Sequence, residues 1–453
     1  MPHSGIMEVN MNKESIYQKP VTTMGILAIT ISTIIMTLIQ ASYSMIDGMF
    51  VSNILGDEAL SSLTLISPYF NFFISIGAMF ASGGSAVVMK KMGEGLHKEA
   101  RKDFTTLTLV ATVVGLIFSA VFLIFTKPLV SIFGTQAHVT ELCREYLFAY
   151  SFFIIPQILF AVLQIYTIGS GKSTLAMISS LIGGVTNIVL DFLMIKVWNL
   201  GMTGAAVASG VGMLIPCIIL AKGFIGKNNL LHFSTLRWDV KVLVKTATNG
   251  SSEFASNLVS GIVIMLFNAR MLSIAGASGV AASTITFYVF GLMSALYMGY
   301  MLGVSPLLSY FYGAQETAKL KKIRNISVTF IGVLAVSTTL LSIMGSEVLV
   351  STFTRQGTQA YALAVNGNKL FSLALLFVGF NTFSSMLFTA LSNGKISAII
   401  AFFRTFVFLV ATIIILPFFL GIDGLWLSMP VSELFALVLS GYFVKKYQKQ
   451  YNY

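Results

Sequence analysis

The sequence predicts an all-α polytopic membrane protein: twelve transmembrane helices in two pseudo-symmetric sets of six around a central cavity. Three observations carry that expectation. Of 453 residues, 56% are hydrophobic and only 10% are charged, against about 25% charged in soluble domains, which excludes both a water-soluble enzyme of several domains and a disordered chain. Apolar runs repeatedly reach the roughly 18–20 residues a helix needs to cross a bilayer. The second half of the chain also echoes the first at an offset of 220 residues.

Residues 1–19 are polar, with Glu8, Lys13, Glu14 and Lys19. No short apolar core precedes a small-residue cleavage site, so a cleaved secretory signal is not expected. Pro20 suits the first turn of a helix, and the first span runs uncharged from Val21 to Ile46. Reading apolar runs against polar breaks places the spans near 21–52, 60–89, 104–126, 138–168, 174–196, 202–222, 247–271, 279–312, 326–346, 360–391, 396–420 and 424–444.

Orientation follows from the basic residues. With the N-terminus in the cytoplasm, 21 of the 28 Lys and Arg lie on the cytoplasmic side, among them Lys90, Lys91, Lys98, Arg101, Lys102, Lys319, Lys321, Lys322 and Arg324. Only Lys127, Lys196, Arg270 and Arg355 lie outside, while Arg144, Lys369 and Arg404 fall within spans. This positive-inside bias explains the net charge of +11 without nucleic acid. The expected organisation is a cytoplasmic tail (1–19), a first lobe (20–222), a cytoplasmic linker (223–246), a second lobe (247–445) and a cytoplasmic tail (446–453).

At an offset of 220, Gly56 meets Gly276, Ser85 meets Ser305, Gly93 meets Gly313, Phe133 meets Phe353 and Gly204 meets Gly424. Leu129-Val130-Ser131 meets Leu349-Val350-Ser351, and with a three-residue shift Gly171-Lys172 meets Gly394-Lys395. An even number of spans per half inserts both halves the same way, related by an axis along the membrane normal. That is transporter architecture.

Four acids lie within spans and away from their ends: Asp47, Asp191, Glu253 and Glu433. A charge at the bilayer centre costs about 2.5–3.5 kcal/mol even on insertion scales, so such residues usually face an internal cavity. Counted at 1.5 Å per residue from the outer loops, Asp47, Asp191 and Ser209 sit at a common depth of about 12–15 Å. Asn187 lies one turn from Asp191 on the same face. These hard oxygen donors suit Na⁺, and the two carboxylates can instead share a proton. The plainer reading makes Asp47 a solvated wall residue and Asn187 a packing amide. Counted from the cytoplasmic side, Glu253, Arg404 and Glu433 share another depth. Glu433–Arg404 reads as a structural ion pair, and Glu253 as a candidate for binding a proton or a cationic substrate.

Several stretches together resemble the multidrug and toxic compound extrusion (MATE) family over residues 20 to 445. They are Ile46-Asp47 with Gly56 and Ala59-Leu60, Asn187 with Asp191, Gly204-Ala205-Ala206-Val207-Ala208-Ser209, Asn249-Gly250-Ser251-Ser252-Glu253, and Gly421-Ile422-Asp423-Gly424-Leu425-Trp426 followed by Pro430 and Glu433. The last two look like the bacterial branch of staphylococcal-type pumps. The resemblance implies a V of two six-helix lobes and a cation-coupled exporter of amphipathic, often cationic drugs in the bacterial plasma (inner) membrane. It further implies no enzymatic activity, no cofactor beyond H⁺ or Na⁺ as coupling ion, and a monomer with small-molecule drugs and membrane lipid as partners. It places the coupling-ion site on Asp47, Asn187 and Asp191, with Ser209 where the family usually has Thr. The archaeal and bacterial DNA-damage-type branch, whose coupling-ion site these positions match, bends its first helix at a proline, which this span lacks after Pro20.

Other signals are weaker. Gly169-Ser170-Gly171-Lys172-Ser173-Thr174 imitates the end of a phosphate-binding loop, but Tyr166 stands where that loop needs glycine. His3, His97, His138 and His232 are scattered, and Cys143 and Cys217 lie in apolar runs as packing residues. Loop 2–3 lacks the Asp-Arg signature of the major facilitator superfamily. Phe70, Phe73, Met79, Phe287, Tyr288, Met293 and Tyr297 are candidates to line an adaptable apolar cavity. The alternative function is a flippase or exporter of lipid-linked precursors, which would want a more cationic cavity than these spans supply.

Overall fold

The structure is a computed structural model that describes residues 17–18, 20–132, 137–226 and 229–453. The charges of the 1–19 tail, Phe133, Lys227 and Asn228 lie outside the described residues. Helices α1 (Thr23–Leu55), α2 (57–93), α3 (His97–Ser131), α4 (Ala137–Ser151 and Ile154–Gly169), α5 (Ser173–Val197) and α6 (Gly201–Lys222) make the first half. Helices α7 (240–275), α8 (277–313), α9 (Thr317–Met344), α10 (Gln359–Ala390), α11 (394–420) and α12 (422–451) make the second.

Pro20 stands ahead of α1 rather than in its first turn, and α1 then runs unbroken to Leu55. The expected single span at 138–168 is instead bent by 55° between Ser151 and Ile154. Pro156 explains the bend, because it has no N–H to return to the carbonyl four residues earlier. The polar connections expected between spans 7 and 8 and between spans 11 and 12 shrink to single glycines, Gly276 (φ 63°, ψ −158°) and Gly421 (φ 57°, ψ −132°). A straight helix of 74 residues would be about 110 Å long. The chain instead folds back at Gly276, so that Phe267 and Phe287 meet with ring centroids 5.0 Å apart.

The 220-residue offset is written into the backbone. Left-handed residues occur in pairs at that spacing: Gly56 with Gly276, Gly95 with Gln315, and Gly201 with Gly421. Only glycine takes this conformation without cost, so Gln315 holds its turn with some strain. The turn after α4 corrects the sequence register. Gly171 (φ 80°) corresponds to Ser392 (φ 59°), an offset of 221, so Lys172 falls on Asn393 and not on Lys395. Backbone geometry, rather than a shared Gly-Lys pair, defines the equivalence.

Close backbone packing between the halves gathers at the end that carries the basic loops. A side chain at Gly93 would overlap the Tyr310 carbonyl, and one at Gly313 would overlap the carbonyl of Lys90, so α2 and α8 cross on a symmetric pair of glycines. On one side Gly83 faces Thr246 and Gly250, joining α2 to α7. On the other, Gly299 and Gly303 face Thr30, Thr33 and Thr37, joining α8 to α1, and Thr37 Oγ1 donates to Ala295 O at 2.8 Å. Without a hydrophobic drive between helices in lipid, such small-residue seams are how membrane helices approach closely.

The inter-half segment is fastened to α3. Arg101 Nε donates to Leu230 O (3.1 Å), the Ser234 N–H donates to Thr105 Oγ1 (2.9 Å), and Thr106 Oγ1 bonds both the N–H and the carbonyl of Arg237 (3.0 Å each). Phe233 stacks on Phe104, and Arg237 pairs with Glu99 at 2.7 Å. Asp239 then caps α7, accepting from the Lys241 N–H.

Gly93→Ala or Gly313→Ala is expected to pry this seam open, since overpacking costs about 1–3 kcal/mol. Spin labels at Leu96 and Gln315 should report a longer distance, whereas Gly291→Ala and Gly441→Ala, which meet open space, should leave it unchanged.

Candidate functional site

Three helices converge in the first half because glycine lets them. On α5, a side chain at Gly183 would strike the Gly212 carbonyl of α6, and Gly184 lies against the Tyr43 ring of α1. Gly212 in turn faces the Cβ of Asn187. Gly183, Gly184, Asn187 and Asp191 share one face of α5, as Ser209, Gly212 and Pro216 do on α6 and Tyr43 and Asp47 on α1. A π-helical stretch, Phe192–Val197, begins immediately after Asp191.

The result brings together the four residues expected at one depth. The Asp47 carboxyl faces Asp191, Ser209 and Asn187, and Ser209 Oγ donates to Asp47 Oδ1 at a loose 3.4 Å. Tyr146 Oη reaches Ser209 Oγ at 3.5 Å. Asp191 is wholly buried and Asn187 nearly so, while Asp47 is half-buried. Asp47 and Asn187 face Asp191, yet among the described residues no donor comes within hydrogen-bonding distance of either Asp191 carboxylate oxygen or of the Asn187 amide oxygen. Two carboxylates facing each other in low dielectric call for a positive partner, either one shared proton or a small cation. The oxygen set offers two carboxylates, an amide and a hydroxyl, which are hard donors. Among the described residues no group of three or more His, Cys, Asp or Glu gathers.

Asp47, Asn187 and Ser209 open onto a cavity of about 300 Å³ that is also lined by Tyr43, Phe70, Tyr146, Tyr150, Gln157 and Met213. Sequence reasoning missed most of this wall. Tyr43 lies one turn before Asp47, and Tyr146 and Tyr150 are one turn apart, a spacing that alone says only that each pair shares a helix face. Tyr150 Oη donates to Gln157 Oε1 at 2.8 Å. Behind them Gln164 Nε2 and Gln40 Nε2 both reach Ser180 Oγ, at 2.9 and 3.4 Å. Of the aromatic candidates, Phe70 lines this cavity, Phe73 and Tyr297 are packed core residues, and Tyr288 is exposed.

The second half holds a different polar group. Arg404 Nε donates to both Glu433 oxygens (2.8 and 3.1 Å), as the ion-pair reading expected, and Asn381 Nδ2 donates to Glu433 Oε2 (2.7 Å) and to the Glu433 carbonyl (2.8 Å). Glu253 is half-buried within electrostatic reach of Arg404 but forms no ion pair among the described residues. Arg404 and Glu433 sit on the wall of a cavity of about 280 Å³ whose other walls include Val263, Phe267, Phe287, Phe290, Phe371 and Met429. Arg144 is paired with Glu141, and Cys143 and Cys217 are free and buried.

Comparison with known proteins places this architecture. The MatE family model matches residues 32–193 and 252–415. Two multidrug export proteins named MepA are similar: that of Staphylococcus saprophyticus at 22% identity over 93% of this chain and 94% of the relative, and that of Staphylococcus haemolyticus at 24% over 90% of each. Among solved structures, a MATE protein in complex with MaL6 superposes with a TM-score of 0.90 at 19% identity, covering 98% of both chains. The outward-facing form of a multidrug resistance MATE family transporter superposes at 0.89 with 20% identity over 97% of each. These likenesses fix the fold as the twelve-helix MATE fold.

The two polar groups should respond oppositely to neutralisation. Asp191→Asn supplies a donor where none exists and is expected to leave thermal stability in detergent unchanged or slightly raised. Glu433→Gln strands Arg404 and should cost about 3–5 kcal/mol, read as a clear drop in melting temperature.

Proposed function

The chain belongs to the MatE family, and from that premise we propose that it exports amphipathic, often cationic drugs in exchange for inward-moving H⁺ or Na⁺. The observation that carries this reading is the buried Asp191 carboxylate, both oxygens unpartnered, facing Asp47. The names of the staphylococcal relatives support multidrug export. The basic loops support a cytoplasmic location for both termini and for the linker, which puts the glycine seam on the cytoplasmic side and makes the described arrangement open outward.

In this reading Asp47, Asn187, Asp191 and Ser209 hold the incoming ion. Occupancy neutralises the first lobe, changes how α1 packs against α5 and α6, and favours the drug-releasing state. Coupling requires ion and drug to prefer different states, since tight binding alone shifts no equilibrium. One elementary charge moving through 100 mV is worth about 2.3 kcal/mol, roughly fiftyfold in concentration, so one ion per drug suffices if the exchange is electrogenic. A lipid-linked-precursor flippase is disfavoured because Arg144 and Arg404 are already paired with carboxylates, leaving little free positive charge in the spans for a pyrophosphate.

Asp191→Asn should abolish ethidium efflux from inverted vesicles, lowering it by about 100-fold or more, with membrane insertion equal to wild type. Undiminished efflux would remove Asp191 from the mechanism. Imposing pH and Na⁺ gradients separately on the wild-type protein assigns the coupling ion.

A further inference from the structure

The cavities of the two halves are the same cavity built twice. Five lining residues of the first map onto lining residues of the second at an offset of 220: Tyr43 onto Val263, Asp47 onto Phe267, Phe70 onto Phe290, Ser209 onto Met429 and Met213 onto Glu433. Tyr150 maps onto Phe371 at 221, the offset that the α4–α5 turn already requires. Position by position, the acid, the hydroxyl and the phenols become apolar, while one apolar residue becomes a glutamate that Arg404 neutralises. The duplicated pocket has therefore kept its place and volume, about 280 Å³ against about 300 Å³, and lost its capacity to hold a small hard cation.

What it gained is an aromatic box. Phe371 makes edge-on contacts with Phe287 and Phe290, at 5.6 and 5.0 Å between centroids, and Phe267 meets Phe287 at 5.0 Å. Along α7, Ser256, Ser260, Val263 and Phe267 form the lining face. Glu253 lies three residues before Ser256 and so continues that helix face beyond the lining residues; it is within electrostatic reach of Arg404 but has no ion-pair partner among the described residues. A box of aromatic faces, with a carboxylate outside any ion pair further along the same helix face, is complementary to a flat aromatic cation.

We propose that this second-lobe cavity is a drug-binding site for the aromatic body of an organic cation, with Glu253 countering its charge and Phe267, Phe290 and Phe371 enclosing its rings. The duplication thus divides labour between the lobes, with the ion in the first and the drug in the second. This assignment rests on the export reading above, but its test does not, because equilibrium binding to the purified protein needs no gradient and no turnover.

The experiment compares two fluorescent probes, ethidium (cationic) and N-phenylnaphthylamine (neutral), on the full-length protein in detergent. Met429→Trp, which fills the cavity, should weaken both by on the order of tenfold. Glu253→Gln should weaken ethidium by a similar factor and leave the neutral probe within about twofold. Phe290→Ala, which removes rather than adds bulk, guards against a folding defect and should also weaken both. The proposal is overturned if the three variants bind ethidium like wild type, or if Phe70→Ala and Met213→Trp in the first-lobe cavity weaken it instead.

Discussion

Two carboxylates that face each other, one of them with no donor on either oxygen, are the most demanding feature of this molecule. In a chain with 10% charged residues, burying Asp191 completely beside Asp47 costs several kcal/mol unless positive charge joins them. The surroundings are organised by that demand. Gly183, Gly184 and Gly212 let three helices close around the pair, Asn187 and Ser209 add oxygen donors, and the phenols of Tyr43, Tyr146 and Tyr150 form a wall that is polar without adding charge. The opposite solution appears in the second half, where Glu433 is held by both Arg404 and Asn381. One acid is given a permanent partner, and the other pair is left needing a transient one.

The halves show how duplication separates scaffold from chemistry. Positions that set backbone shape are kept: the left-handed turns at 56 and 276 and at 201 and 421, and the crossing glycines at 93 and 313. Positions that set cavity chemistry are free to diverge, because a lining residue changes what a pocket holds without changing where its helices go. Asp47 against Phe267 is the plainest case. Both lie on the first helix of their half and face the same relative space.

Much of this was legible in the sequence. Hydropathy gave twelve spans because each must be apolar along its length, and counting residues from the loops put Asp47, Asp191 and Ser209 at one depth because helical rise is constant. The Arg404–Glu433 pair was legible for the same reason. The bend at Pro156 has no sequence signal of its own, since membrane helices tolerate proline. Gly276 and Gly421 sit in what the sequence presents as longer connections, because hydropathy cannot tell a one-residue reversal from a short polar connection. The tyrosines around Asp47 carry no sequence signal of their own. An aromatic among 37 Phe and 16 Tyr becomes a wall residue only once the packing of its helix has turned it inward.

The fastening of residues 230–237 onto α3 has a mechanical corollary. With Arg237 held at both its N–H and its carbonyl by Thr106, only Trp238 and Asp239 separate that anchor from the first turn of α7. A strap this short offers almost no length to spend. The second half cannot withdraw from the first as if on a tether, and what is left to it is to swivel about the anchorage, trading angle rather than separation.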